Sequence, residues 1–225
     1  LLLLVSGGHS QYLIVKNLNN YKQIGTTIDD AVGEAFDKTA KILNLGYPGG
    51  PSVERFAKLG NKNSYNLPQP IINRAGCNLS LAGLKTDVLR KSKNIKSDQD
   101  RYDLAASFQE TVNKILQKKT EVAMNKFREE ISDNSTKAFV IAGGVAANET
   151  IRKSLKQISE KMNFKPIFPS KEFCGDNAAM IAWAGIQRSK KNLIDNEKDA
   201  KVKSRWPLDK KAPFLKGAGL QLDKL

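Results

Sequence analysis

Leu1-Leu2-Leu3-Leu4-Val5-Ser6-Gly7-Gly8-His9-Ser10-Gln11-Tyr12-Leu13-Ile14-Val15 opens the chain as an apolar run, a glycine turn and a second apolar run. Two such runs joined by a short glycine turn predict a hairpin. Its tip is expected to present backbone N–H groups to an anion, because residues without Cβ let those groups close on a phosphate. The first run is too short to span a bilayer and has no basic segment before it, so it reads as a buried strand and not as a signal peptide or membrane helix. The chain opens inside that strand without an initiator methionine, and the expectation is that an N-terminal portion precedes it.

Three further glycine-rich turns lie downstream: Gly46-Tyr47-Pro48-Gly49-Gly50-Pro51, Gly143-Gly144-Val145-Ala146-Ala147-Asn148 and Cys174-Gly175-Asp176-Asn177. Together the four describe a nucleotide site, with an adenylate as the expected ligand. Gly143-Gly144 follows the apolar run 138–142 and opens into a helical pattern, which aims free N–H groups and a positive helix end at a ligand. Neither the dinucleotide fingerprint G-x-G-x-x-G nor the P-loop pattern is present, so another nucleotide fold is required.

Hydrophobic periodicity predicts a short strand near 23–27 and a helix from about Ala31 to Leu43 that ends at Gly46, with Asp29-Asp30 as caps. A second helix starts at Pro51. Residues 73–97 read as irregular apart from the apolar stretches 79–84 and 88–89. The most secure element is a long amphipathic helix from Asp100 to Ile131, for which a break is allowed. A strand at 138–142, a helix at 149–162, a short strand at Ile167-Phe168 and a final helix at 177–188 complete the pattern. Alternating strands and helices predict an α/β layer fold. The basic stretch beyond residue 186 has little apolar periodicity and reads either as a tail lying over another surface or as a solvated terminus.

The chain has 225 residues and a net charge of +14, from 37 Lys and Arg against 23 Asp and Glu. That excess favours a polyanionic partner, and a generally lysine-rich surface explains it nearly as well. Two distant cysteines, Cys77 and Cys174, suggest neither a disulfide framework nor a zinc knuckle and fit a reducing, intracellular setting; the expected localisation is cytoplasmic.

Asp29, Asp30, Glu34 and Asp37 concentrate carboxylates, and the last three share a helix face by spacing. Asp37, between Phe36 and Thr39, is expected to point inward to ligand hydroxyls. Asp176 reads either as a helix cap or as one metal ligand lacking partners. His9, the single histidine, excludes a histidine-rich metal cage from this chain. Lys85-Thr86 reads evenly as a phosphate contact or a helix cap. Trp183 and Trp206 read as packing residues.

Read together, Leu3 to Ser10, Asp29-Asp30-Ala31-Val32-Gly33-Glu34-Ala35-Phe36-Asp37-Lys38, Tyr47 to Pro51, Gly83-Leu84-Lys85-Thr86, Gly143 to Asn148 and Asp176-Asn177-Ala178-Ala179-Met180-Ile181-Ala182 resemble the TsaD family, also called Gcp or YgjD. The resemblance runs in order from Leu1 to about Leu208. It implies an actin-like, Hsp70-like (ASKHA) ATPase fold, a mixed sheet flanked by helices. Residues 1–185 would hold mostly the second subdomain, with its adenylate-binding loops, and 186–225 a basic tail packing on a missing N-terminal subdomain. It implies transfer of the threonylcarbamoyl group from threonylcarbamoyl-AMP to N6 of adenosine 37 in tRNAs reading ANN codons. By the same resemblance Leu4, Val5, Ser6, Gly7 and Gly8 form the substrate-binding turn, and Asp37, Gly50 and Asn148 are further adenylate contacts. Asp176 is the metal-binding aspartate. The metal would be one divalent ion, Fe2+ with Zn2+ or Mg2+ as alternatives, whose two histidine ligands lie upstream of this chain. The fragment alone is therefore expected to be inactive. The implied partners are tRNA, a TsaB-like paralogue and a TsaE-like ATPase, with no membrane.

Three departures from the family pattern stand out: Ser10 for threonine, Leu79-Ser80-Leu81-Ala82 for Phe-Ser-Phe-Ser, and Gly175 for threonine. They bear on fine substrate positioning. Two other functions remain in view. One is a non-catalytic adenylate-binding scaffold. The other is a glycoprotease-type metalloendopeptidase, which the absence of an H-x-x-x-H motif in this chain disfavours.

Overall fold

A computed structural model describes residues 1–131, 137–194 and 207–212. Five strands, β1 (Leu2–Val5), β2 (Ser10–Asn17), β3 (Asn20–Thr26), β4 (Ala138–Ala142) and β5 (Lys165–Ile167), form one mixed sheet in the order β3-β2-β1-β4-β5. The first three are antiparallel neighbours, and β4 and β5 continue the sheet in parallel with β1. The expected hairpin is there, with Leu3 opposite Tyr12 and Val5 opposite Ser10. Leu3 also pairs with Ile141, so Leu3, Tyr12 and Ile141 share one face, and all are fully buried. Leu2, Leu4 and Val140 alternate to the opposite, half-buried face.

Six helices follow from the remaining pattern: α1 (Val32–Ile42), α2 (Gly49–Ala57), α3 (Ala82–Ser92), α4 (Asp98–Glu130), α5 (Glu149–Lys161) and α6 (Ala178–Ser189). The core joins the buried sheet face to α1, α4 and α5 through Val32, Phe36, Leu104, Phe108, Ile115 and Leu155. Phe36 meets Phe108 edge to face at 5.1 Å. Each such side chain removed from water contributes about 1.5–3 kcal/mol. Tyr12 reaches across to α4, where its hydroxyl lies 2.9 Å from Thr120 Oγ1. Burial pushes that phenol well above its ordinary pKa. Lys119, fully buried on α4, donates to the carbonyls of Arg74 (2.8 Å) and Gly76 (3.1 Å) and so anchors the loop that leads to α3.

Several expectations are corrected. Residues 82–92 are helical, not irregular; only Leu84, Asp87 and Val88 of α3 are buried, and so narrow an apolar stripe has little periodic signal. Helix α4 is continuous over 33 residues, without a break. Helix α2 begins at Gly49, two residues before Pro51, because Asp37 Oδ1 accepts the Gly49 N–H at 2.9 Å. Neither Asp29 nor Asp30 caps α1. The Val32 N–H donates to Ser10 Oγ at 2.8 Å, and Glu34 accepts from the Ala31 N–H at 3.2 Å. Strand β5 lies at 165–167, earlier than expected, and Phe168 falls outside it. Trp183 is not a packing residue: it is 63% exposed. Trp206 and most of the basic tail lie outside the described residues. Within 207–212, Asp209 Oδ2 accepts the Gln23 N–H at 2.9 Å, which places that short segment against β3. Among the described residues no helix is long and apolar enough to cross a membrane.

Candidate adenylate site

A cavity of about 360 Å³ opens where the helices meet the sheet, and the first turns of several helices line it. Gly33 is the second residue of α1, Gly50 the second of α2, Gly144 opens the short 3-10 turn Gly144–Ala147, and Asn148 caps α5. The leading N–H groups of a helix have no partner inside it, and the aligned peptide dipoles add positive potential there. At α1 these groups are taken, Val32 N–H by Ser10 Oγ and Gly33 N–H by Ser6 O at 3.1 Å, and at α5 the Glu149 N–H goes to Glu54, so it is the Gly50 end of α2 and the Gly144 turn that favour an anion in this space.

The glycines fall into two physical classes. Gly33 and Gly143 are imposed by close backbone approach: a Cβ on Gly33 would lie 2.7 Å from Ser6 O, and one on Gly143, at φ +100°, would collide with the Val5 carbonyl. Gly7, Gly50, Gly144 and Gly175 all line the cavity and have open space where a Cβ would sit. No described residue demands glycine at these four, so the room is available to a bound molecule.

Two carboxylates flank this space, Asp37 and Glu54. Asp37 spends Oδ1 on Gly49, and Glu54 Oε1 accepts the Glu149 N–H at 2.7 Å. Phe36, Pro48, Pro51, Val145 and Ala147 make the rest of the wall apolar. Positive helix ends at one part, carboxylates suited to hydroxyls at another and apolar walls elsewhere match phosphate, ribose and base of a nucleotide.

The loop 169–175 closes the cavity and is pinned by Arg152 of α5. That guanidinium donates to Ala146 O (2.8 Å) and Pro169 O (2.7 Å) and stacks over the Phe168 ring at 4.8 Å. Lys171 on this loop lines the cavity while paired with Glu149, and Lys171 holds the Glu149 carboxyl below its ordinary value. Cys174, buried and unpaired, lines it as well.

Of the residues singled out from sequence, Gly7, Asp37, Gly50 and Asn148 meet at this cavity. Asn148 arrives with its amide engaged, Oδ1 accepting from Ile151 N at 3.0 Å and Nδ2 donating to Gln109 at 2.8 Å. Leu4, Val5, Ser6 and Gly8 are not among its walls. Val5 is buried within β1, and Ser6 Oγ accepts the Gly8 and His9 N–H groups at 3.3 and 3.0 Å. The hairpin tip therefore turns two of its N–H groups inward, and Gly7 is the tip residue that faces the cavity. Lys85-Thr86 takes neither of its expected roles: Lys85 sits 2.8 Å from Asp30 Oδ2, and Thr86 donates to Ala82 O. Asp30, Glu34 and Asp37 do not act together either, since the first two bind Lys38 and the third turns to Gly49.

Sequence reasoning passed over Glu54, Tyr47 and Lys171 as wall residues. Glu54 was within reach, since it stands four residues after Gly50 on the same helix face. Lys171 has no local signal because its position depends on Arg152 holding a distant loop.

Asp176 is exposed beside Gly175, and Asn177, not Asp176, caps α6 by accepting the Met180 N–H at 2.9 Å. Among the described residues no three His, Cys, Asp or Glu side chains gather as a metal site. Among the described residues Asp176 is thus a single carboxylate without an ion pair, able to supply one metal ligand and not a set. The departure at Gly175 is sterically free, and at 79–82 the buried Leu79 and Leu81 fill the space while Ser80 Oγ donates to Asp29.

A sequence model of a transferase family, "TsaD: tRNA N6-adenosine threonylcarbamoyltransferase", matches residues 1–183. A curated protein of that name from Pelagibacter ubique is 56% identical over 222 residues, 99% of this chain and 62% of its own length. One from Zymomonas mobilis is 50% identical over 98% of this chain and 60% of its own. One from Rhizobium meliloti is 46% identical over 97% and 61%. The chain thus spans about three fifths of the length of these relatives. The crystal structure of T. kodakarensis HypF aligns with a TM-score of 0.49 at 22% identity, over 75% of this chain and 21% of its own, too loose a likeness to bear on the site.

Proposed function

The chain belongs to the TsaD family, tRNA N6-adenosine threonylcarbamoyltransferases, and on that premise we propose that it holds threonylcarbamoyl-AMP for transfer to adenosine 37 of tRNAs reading ANN codons. Its mixed sheet flanked by helices is the ASKHA arrangement of that family. The observation that carries the reading is the convergence of the α1, α2 and α5 ends and the Gly144 turn on one cavity beside Asp37 and Glu54.

In the reaction the acceptor N6 attacks the carbamoyl carbon of the adenylate, a C–N bond forms, the bond from that carbon to the phosphate oxygen breaks, and AMP leaves with the electron pair. The N6 proton passes to solvent. The Gly50 end of α2 and the Gly144 turn hold the phosphate through the step and stabilise the charge it gains as leaving group. Asp37 and Glu54 orient the ribose hydroxyls, which sets the carbonyl toward the acceptor.

Asp176 is proposed as one ligand of a divalent metal, Fe2+ before Zn2+ or Mg2+, completed by histidines outside this chain. A TsaB-like paralogue and a TsaE-like ATPase are the proposed partners, and the cytoplasm the proposed compartment. The test is threonylcarbamoylation of tRNA by the full-length protein with these partners and threonylcarbamoyl-AMP, scored by mass spectrometry of the modified adenosine. Wild type is expected to modify tRNA, and Asp176→Ala to lose both the modification and bound metal, measured by elemental analysis, while keeping its fold. An intact wild type that binds adenylate but leaves tRNA unmodified would replace the transferase with an adenylate-binding scaffold.

A further inference from the structure

Helix α1 runs from the adenylate cavity into a second one. Gly33, Asp37 and Lys41 follow one another at four-residue spacing and so share a face, each about 6 Å beyond the last. Gly33 touches the Ser6-Gly7 turn and Asp37 stands in the first cavity. Lys41 lies in the adjoining hollow of about 490 Å³, with Lys38, Asn44 and Gly46. Two residues line both spaces, Asp37 and Tyr47.

Tyr47 is 87% exposed. Within this chain the ring buries little against its neighbours, and among the described residues its hydroxyl has no hydrogen-bond partner. Asn44 and Gly46, both at positive φ (53° and 91°), shape the turn that carries it outward. Of the neighbouring lysines, Lys38 is committed to Asp30 and Glu34. Lys41 is exposed and has no ion pair among the described residues. An aromatic face, an uncommitted cation and an exposed amide at the lip of a nucleotide cavity, in a chain of net charge +14, have the composition of a single-stranded nucleic-acid subsite.

We propose that Tyr47 is a stacking platform for an unpaired nucleobase of the substrate RNA, with Lys41 and Asn44 taking the adjoining phosphate. The inference rests on the reading that the first cavity holds the adenylate whose acyl group goes to RNA. Lys41 lies one turn beyond Asp37 on α1 and Tyr47 borders both spaces, so a base stacked on Tyr47 with its phosphate on Lys41 lies beside the adenylate cavity, as a neighbour of the acceptor adenine. The platform therefore fixes where the RNA lies and takes no part in bond making.

Steady-state transfer by the full-length enzyme with its partner proteins, using an anticodon stem-loop RNA, separates the roles. Tyr47→Ala is expected to raise KM for the RNA about tenfold or more, with a far smaller change in kcat, and Tyr47→Phe, which keeps the ring, to restore it. An equal rise in KM for the adenylate would show that the ring serves the adenylate and not the RNA and overturn the proposal, as would an unmoved KM for RNA. Tyr47→Trp supplies a readout that needs no turnover. Its fluorescence, corrected for Trp183 and Trp206 with the wild type, is expected to be quenched by the stem-loop and not by blunt duplex RNA. Quenching in an enzyme that modifies no RNA would remove the proposed reaction and leave the platform. Transfer without quenching, and with an unmoved KM, would remove the platform and leave the reaction.

Discussion

Gly143 shows how far one atom decides the site. Its φ of +100° and the Val5 carbonyl against it leave no room for a methyl group. Gly143→Ala is expected to destabilise the protein by about 2 kcal/mol or more, read by urea denaturation, because strain and collision add. Gly144→Ala, where the space is open, is expected to fold normally and to lose adenylate affinity. Sequence could mark both glycines but could not separate them, since only the position of β1 distinguishes the glycine the fold requires from the one with open space beside it. Asp37 is a second case. Asparagine at 37 retains an oxygen for the Gly49 N–H, so Asp37→Asn is expected to keep α2 capped while binding of a non-hydrolysable adenylate weakens about tenfold, by calorimetry. A loss of the fold instead would make the carboxylate structural.

At the scale of elements, the paired aspartates before α1 fasten it to α3. Asp29 accepts from Leu81 N at 2.7 Å and from Ser80, while Asp30 lies 2.8 Å from both Lys38 Nζ and Lys85 Nζ. Burial alone would raise the Asp30 pKa, but the two lysines outweigh it and hold the carboxyl below its ordinary value. A carboxylate depressed in the folded state stabilises above its unfolded pKa of about 4 and loses that contribution as pH falls through the folded value. Asp30→Asn is therefore expected to cost about 1–3 kcal/mol at pH 7, with the gap to wild type closing as the solution is acidified below the carboxylate range. A gap independent of pH would refute the ion pairs as its source. Local pattern showed acidic residues ahead of an amphipathic stretch, the usual mark of a cap, and read them so. The cap came instead from Ser10 on β2, a partner that no window around residue 30 contains.

Across the whole molecule, burial is uneven. Helix α4 buries residues along its length from Leu104 to Phe127, whereas no residue of α6 is buried, and Ile181 and Trp183 are 67% and 63% exposed. Hydrogen exchange of this chain is expected to be slowest in the centre of α4 and at least a hundredfold faster in α6, whose opening disturbs no core contact. Equal protection would show that α6 is covered in solution. The same unevenness separates what each level decides. Sequence alone determined the strand-turn-strand opening, the helices with a broad apolar face and the four glycine turns, because alternation, helical periodicity and turn chemistry act over a few residues, and the ordered motifs carried the family resemblance. Tertiary structure alone decided that Gly7, Asp37, Gly50 and Asn148 face one cavity, that Glu54 and Tyr47 join them, and that Lys85 does not. Those are contacts between segments far apart in the chain, set by how the helices pack on the sheet, and that packing is a property of the assembled core and of no single stretch within it.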